Sequence, residues 1–479
     1  MKIINFIKFI MKMIEYVFKK IILIEWCLEI KEDVDIGYGT ILNAVNMFDK
    51  VYEKIKMEKN MIQTYMFACI MLSSKLFDIS VPDIEGYTAH PEMEGEIVTQ
   101  TEEKILELLE SKIIFNMRNY TKEEFDLCLV FLCGNSSYET DFELFLEHLC
   151  EDERKEILNI KNIKDSIAEK SRKYQELIFS YDNLQNYKKE QIEIKEQKIE
   201  VSVIDFSKIE KIGRGSFGDV YKYGDYALKI YKSPYDNGIC YTIVRELSFS
   251  AILNHENLLK IRHFKQEGKW ISIMNRCDHD LSFGNCIGLN IKSVVRQLLN
   301  VLKYLHTNNI MHRDIKPDNI LYDKKKEKVY LTDFGISKCI ISYPITKEAF
   351  SWGYKPIENL YENVYDYNAD IWSLGISLIE IVNNKFLFSY TKDRSEALEN
   401  LYEIFGYPSV EDLDCLGFKN KPKPIFKGMM NSEVNFRKII KTEDNLLIDL
   451  IKNMLVYNPS KRYNIIDCLN HPYLKEVRL

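Results

Sequence analysis

The chain has 479 residues, enough for two or three domains that each bury a core. Its formal net charge of -7, from 65 basic and 72 acidic side chains, offers no positive footprint for nucleic acid or for an anionic membrane surface. The 11 cysteines are scattered without a C-x-x-C pair and apart from the 8 histidines. That argues against a zinc site and a disulfide framework and points to a reducing compartment, cytoplasmic or nuclear.

From Met1 to Ile24 the chain is rich in Ile, Phe and Met, but Lys8, Lys12, Glu15, Lys19 and Lys20 interrupt it. No apolar run reaches the roughly 20 residues of a bilayer span, so an amphipathic helix lying on the next domain is expected. Helical spacing then governs 41–115, first in Ile41, Leu42, Val45, Phe48, Val51 and Tyr52, then in Ile62, Tyr65, Met66, Cys69 and Leu72. The stretch from Gln63 to Asp78 is apolar nearly all round and belongs in the middle of a bundle. An amphipathic segment, Thr101 to Leu109, is closed by Ile113, Ile114 and Phe115.

Over about 26–118 these helices resemble a cyclin box, in the step Ser73-Ser74-Lys75 and in the later run Glu102-Glu103-Lys104-Ile105-Leu106. The resemblance implies that Lys75 and Glu102 contact a kinase beside its regulatory helix. An unrelated bundle, with Lys75 at a solvated helix end, is the alternative. Tyr120 to Cys150 is helical but too short for a full second box, so 1–150 is assigned as one cyclin-like helical domain. Residues 151–204 form a charged linker, free of Gly and Pro from Glu151 to Glu200, which favours a helical, semi-rigid spacer.

The second half, 205–476, carries phosphate chemistry. Strand, turn and strand frame Ile212-Gly213-Arg214-Gly215-Ser216-Phe217-Gly218, followed by Val220. Glycines there let backbone amides approach phosphates without a Cβ in the way. An alternating strand brings Ala227 and Lys229, and a helix brings Glu246. Further on come His312-Arg313-Asp314-Ile315-Lys316-Pro317-Asp318-Asn319 and Asp333-Phe334-Gly335. A carboxylate, a lysine and an asparagine at this spacing, then a second carboxylate before glycine, are what phosphoryl transfer requires.

This order of motifs resembles the eukaryotic Ser/Thr protein kinases of the cyclin-dependent and MAP kinase group. The resemblance implies Asp314 as the catalytic base, Lys316 near the γ-phosphate, Asn319 and Asp333 as Mg²⁺ ligands, and a Lys229–Glu246 ion pair on the phosphates. It implies an ATP pocket lined by the glycine loop, Val220, Ala227, Met274 and Leu321, with the backbones of Asn275 and Cys277 on the adenine edge. Lys316-Pro317 matches the Ser/Thr form of the loop. The run Cys240 to Glu246 lies without gaps on the P-S-T-A-I-R-E helix of cyclin-dependent kinases, keeping Arg245-Glu246 and losing the leading Pro-Ser. Thr346 falls at the activating phosphothreonine, with Arg245, Arg313 and Lys338 as its cationic nest. Phe350, Lys355 and Pro356-Ile357-Glu358 depart from the group, which leaves proline-directed specificity open, and Phe217 replaces the inhibitory tyrosine.

The expected architecture is therefore multi-domain: an all-α cyclin-like bundle followed by an α+β bilobal kinase, with lobes at 205–275 and 278–476. The expected activity is ATP- and Mg²⁺-dependent phosphorylation of Ser/Thr in protein substrates. Activation comes in cis from the cyclin-like half, with neither nucleic acid nor a membrane span involved. Two alternatives stay open: a helical half that only docks substrates, and a silent scaffold for partner cell-cycle kinases.

Overall fold

A computed structural model of the chain describes residues 38–55, 57, 61–77, 95–114, 203–215, 218–232, 239–339, 349–389, 391, 393–418 and 436–475. The expected helix at 1–24, the segment 120–150, nearly all of the charged linker, and Ser216, Phe217 and Thr346 lie outside these residues. Residues 30–119 and 203–479 belong to one compact unit, so the helices of the first half share a body with the second half. Among the described residues no helix is long and apolar enough to cross a membrane.

Three helices come first: α1 (Tyr38–Lys54), α2 (Ile62–Phe77) and α3 (Gly95–Leu108). As its all-round apolar pattern requires, α2 is buried from Thr64 through Phe77, between α1 and α3. Asn43 of α1 is fully buried and gives its two amide hydrogens to Ser73 Oγ and Ile113 O, each at 2.9 Å. One side chain thereby ties α1 to α2 and to the segment that closes α3.

The second half opens with a five-stranded antiparallel sheet in the order β1-β2-β3-β5-β4. Its strands are β1 (Glu210–Arg214), β2 (Gly218–Tyr223), β3 (Tyr226–Tyr231), β4 (Ile261–Gln266) and β5 (Lys269–Asn275). Between β3 and β4 runs α4 (Tyr241–Ile252), the helix expected to be regulatory, buried from Thr242 to Phe249. It packs against α2 on one side and β4 on the other.

The larger lobe is helical. In α5 (Ile291–Thr307) the residues Val294, Val295, Leu298, Leu302 and Leu305 form one buried stripe, and the Asn290 carboxamide caps the start by accepting from Ser293 N. Short strands β6 (His279–Asp280), β7 (Ile310–Met311), β8 (Ile320–Asp323), β9 (Lys328–Leu331) and β10 (Lys338–Cys339) bracket the catalytic segments. Helix α6 (Asn368–Asn383) is buried along most of its length. A Cβ on Gly375 would come within 2.9 Å of Leu455 Cδ2, so glycine sets the close approach of α6 to the chain after α7 (Asn445–Met454). Arg462 closes on Glu358 with two parallel hydrogen bonds of 2.7 and 2.8 Å, both side chains buried.

Candidate active site

The catalytic loop between β7 and β8 is held from beneath by one carboxylate. Asp370, fully buried on α6, accepts from His312 N at 2.9 Å, Arg313 N at 2.8 Å and His306 Nε2 at 3.0 Å. His306 and these amides hold the Asp370 acid below its usual range against the opposing effect of burial. The support is needed because Arg313 has φ 66°, a left-handed conformation that costs about 1–3 kcal/mol for a side chain of this size. His312 gives its Nε2 hydrogen to Thr332 O at 3.0 Å and leaves Nδ1 to accept from Asp314 N. Burial pushes His312 down, so it serves as a neutral brace.

Asp314 then stands with both oxygens engaged. Oδ2 accepts from Lys316 Nζ and from Asn319 Nδ2, each at 2.8 Å, and Oδ1 accepts from the Ser351 hydroxyl at 2.7 Å. Lys316 Nζ also donates to Ser351 Oγ at 2.9 Å. With its amide turned onto Asp314, Asn319 has its oxygen left for a cation. The structure therefore brings Asp314, Lys316 and Asn319 together as expected and adds Ser351. Its lone hydroxyl, in a loop without periodicity, gives no signal until the loop is folded over Asp314. Ser351→Ala should lower kcat about 10-fold without altering the KM for ATP, as one charge-assisted hydrogen bond to the base is lost. Steady-state rates at varied ATP would check it.

Across the cleft, Lys229 Nζ lies 2.5 Å from Glu246 Oε2 and 3.6 Å from Asp333 Oδ1. The two carboxylates hold the Lys229 ammonium up against desolvation, while burial pushes the Glu246 carboxyl up to about 7. Asp333, at φ 66°, is kept below the usual carboxylate range despite its burial, first by Lys229 and then by the Gly335 amide. Phe334 beside it is buried, with its ring 5.1 Å from that of His312 and 6.4 Å from that of Phe249 on α4. An inward regulatory helix and an inward Phe334 therefore support each other.

In the glycine loop, Gly215 N donates to Gly218 O at 2.8 Å, and a Cβ on Gly218 would sit 2.7 Å from Ile230 O. The backbone itself forms this part of the cradle. Ala227 pairs with Met274 across β3 and β5, and Val220 and Leu321 lie on β2 and β8. Arg276 N donates to Asp225 O at 3.0 Å, so alternation turns the neighbouring backbone groups of Asn275 and Cys277 away from β3. Ile212 is half exposed, and Arg214 ends β1 at the edge of the loop.

Arg245, Arg313 and Lys338 are all buried. Burial and the positive Arg313 together push the Arg245 guanidinium down to about 9.

On the other flank of α4, Lys75 and Glu102 meet at 2.5 Å with both side chains buried, which answers the solvated-end alternative for Lys75. Glu102 Oε2 also accepts from Ile239 N at 3.3 Å, at the entrance to α4, and Arg245 Nε donates to Lys75 O at 2.8 Å. Lys265 of β4 donates to Glu103 of α3. Burial raises the Glu102 carboxyl, with Lys75 pulling against it.

Sequence reasoning missed a set of polar residues behind α4. His263 of β4 places Nδ1 2.8 Å from Ser272 Oγ and Nε2 2.8 Å from Ser250 Oγ. The residue reaches the surface in part, yet both ring nitrogens are engaged and desolvation pushes the imidazole down to about 3 from 6.5. A depressed histidine stabilises the fold above its unfolded pKa and loses that contribution as pH falls toward the folded value. Between pH 6.5 and 5, therefore, stability should fall by about 2 kcal/mol more in the wild type than in His263→Leu, at ~1.4 kcal/mol per unit. Urea midpoints of both proteins at the two pH values would check it.

Residues 206–474 match the family model of the protein kinase domain, and residues 11–114 match that of the cyclin N-terminal domain. A protein of Trypanosoma brucei brucei, cell division control protein 2 homolog 3, is 28% identical over 291 residues, spanning 57% of this chain and 92% of that protein. A family match of that extent, over a cleft that joins Asp314, Lys316 and Asn319 to Lys229, Glu246 and Asp333, leaves one conclusion: this chain belongs to the protein kinase family, as a cyclin-dependent-kinase-like Ser/Thr kinase fused behind a cyclin domain.

Proposed function

We propose that this kinase is activated in cis, its own cyclin-like helices holding the regulatory helix where Glu246 reaches Lys229. The observation that carries this reading is the Glu102 carboxylate on Ile239 N–H, backed by the Arg245 bond to Lys75 O. Both lie at a cyclin-type face of the same chain. Tethering replaces association by an effective concentration of about millimolar, so activation is independent of protein abundance.

ATP would sit under the glycine loop, its adenine edge on Asn275 and Cys277 and its α- and β-phosphates at Lys229. Asn319 and Asp333 would hold Mg²⁺, which neutralises charge on the phosphates when bound. Asp314 orients the acceptor Ser or Thr hydroxyl and takes its proton, and Lys316 offsets negative charge beside it. A phosphate on Thr346 would be met by the cations Arg245, Arg313 and Lys338. A dilution series of the full-length chain tests the cis reading. Specific activity should stay constant over about a 100-fold range of concentration. A specific activity that rises in proportion to concentration defeats it in favour of activation between chains.

A further inference from the structure

Behind the Lys229–Glu246 pair, polar side chains form a connected row of hydrogen bonds that phosphotransfer does not use directly. Tyr231 shares its face of β3 with Lys229, and its hydroxyl borders the Glu246 carboxylate. That hydroxyl lies 2.8 Å from Ser272 Oγ of β5. Ser272 meets His263 of β4, His263 meets Ser250 of α4, and the Ser250 hydroxyl donates to the Glu246 main-chain carbonyl. From Tyr231, beside the Glu246 carboxylate, the row crosses three strands and ends on the Glu246 backbone.

Its proton order follows from valence. Because Ser250 donates to a carbonyl, its oxygen accepts the Nε2 hydrogen of His263. The bare Nδ1 then accepts from Ser272, whose oxygen accepts from Tyr231. The Ser250 and Ser272 hydroxyls each give one hydrogen and take one, which requires the neutral ring that burial enforces.

Strand positions 263 and 272 face each other in register, and apolar side chains would fill that space without any need for partners. Replacing a satisfied polar set by apolar groups of similar shape is often neutral or stabilising for the fold. What a polar set adds is directional fixation. We propose that Ser250, His263 and Ser272 are positioning residues, a latch on the sheet side that holds α4 inward and keeps Glu246 within reach of Lys229. The latch lies wholly within 231–272 and stands apart from the reading of the cyclin-like face.

The test uses the full-length chain with His263→Leu, His263→Gln and Ser250→Ala, measuring kcat, KM for protein substrate and thermal midpoint together. Expected for His263→Leu is a fall in kcat of about 10-fold with an unchanged KM for protein substrate, beside the modest lowering of the midpoint that unpairing the Ser250 and Ser272 hydroxyls brings. His263→Gln, which can still donate to Ser250, should recover most of that loss. A kcat for His263→Leu within about twofold of wild type overturns the proposal. So does an equal loss of kcat and of midpoint in the Leu and Gln variants, because that pattern belongs to packing alone. Should His263→Leu fail to fold, Ser250→Ala removes a single hydroxyl, and its kcat decides the matter by the same twofold limit.

Discussion

Asp314→Asn is expected to lower kcat about 10³-fold and to leave the KM for ATP within about twofold, because it removes the proton acceptor and little else. The surroundings of Asp314 explain why the fold should tolerate the change. Oδ2 accepts two N–H donors, from Lys316 and Asn319, and an amide oxygen in that position accepts them equally well. The new amide nitrogen would then face Ser351, whose hydroxyl can reverse and accept. Among the described residues, the groups proposed for the adenine and the α- and β-phosphates, Lys229 and the glycine loop, make no hydrogen bond to Asp314. Initial rates over a matrix of ATP and protein substrate measure both constants. A variant within about 10-fold of wild type would remove Asp314 from the role of base and leave orientation as its contribution.

The sequence was most legible where chemistry dictates spacing. Asp314, Lys316 and Asn319 must lie on one short loop, so their separation is a property of the chain before it folds, and Asp333-Phe334-Gly335 is legible for the same reason. The helices at 41–77 were readable because apolar residues recur on a helical period, and α2 is buried as that pattern demanded. The cyclin-like face was readable only by resemblance, which named the two residues and not how they share the work. Lys75 and Glu102 were expected to be the contact pair beside the regulatory helix. In the structure they pair with each other, and the kinase receives the second oxygen of Glu102 and the carbonyl of Lys75. Ser351 and the row of Tyr231, Ser250, His263 and Ser272 left no trace, because single polar residues on separate elements have no period. Only the pairing of β3, β4 and β5 brings them together.

The division of labour between Lys75 and Glu102 sets the second large effect. Glu102→Ala strands the buried Lys75 ammonium and leaves Ile239 N–H without the carboxylate, so the full-length chain should lose about 100-fold in kcat/KM. Loss of the ion pair alone costs about 3–5 kcal/mol and would fall first on the packing of α2 against α3, which makes the single variant ambiguous. The exchange Lys75→Glu with Glu102→Lys separates the two effects. It restores an ion pair between the helices, so the thermal midpoint should return most of the way to wild type. It also places an ammonium in front of Ile239 N–H, two like-signed groups in a buried site, so the entrance to α4 stays unheld. Activity should therefore remain about 10-fold or more below wild type while the fold recovers. If activity returns together with the midpoint, the pair is an internal brace of the cyclin-like helices, and the grip on α4 must reside in Arg245 on Lys75 O and in Lys265 on Glu103. If neither returns, the exchanged pair does not form in this interior, and the Glu102→Gln variant becomes decisive. Its amide oxygen can still accept from Ile239 or from Lys75, and under the cis reading its activity should lie between those of Glu102→Ala and the wild type.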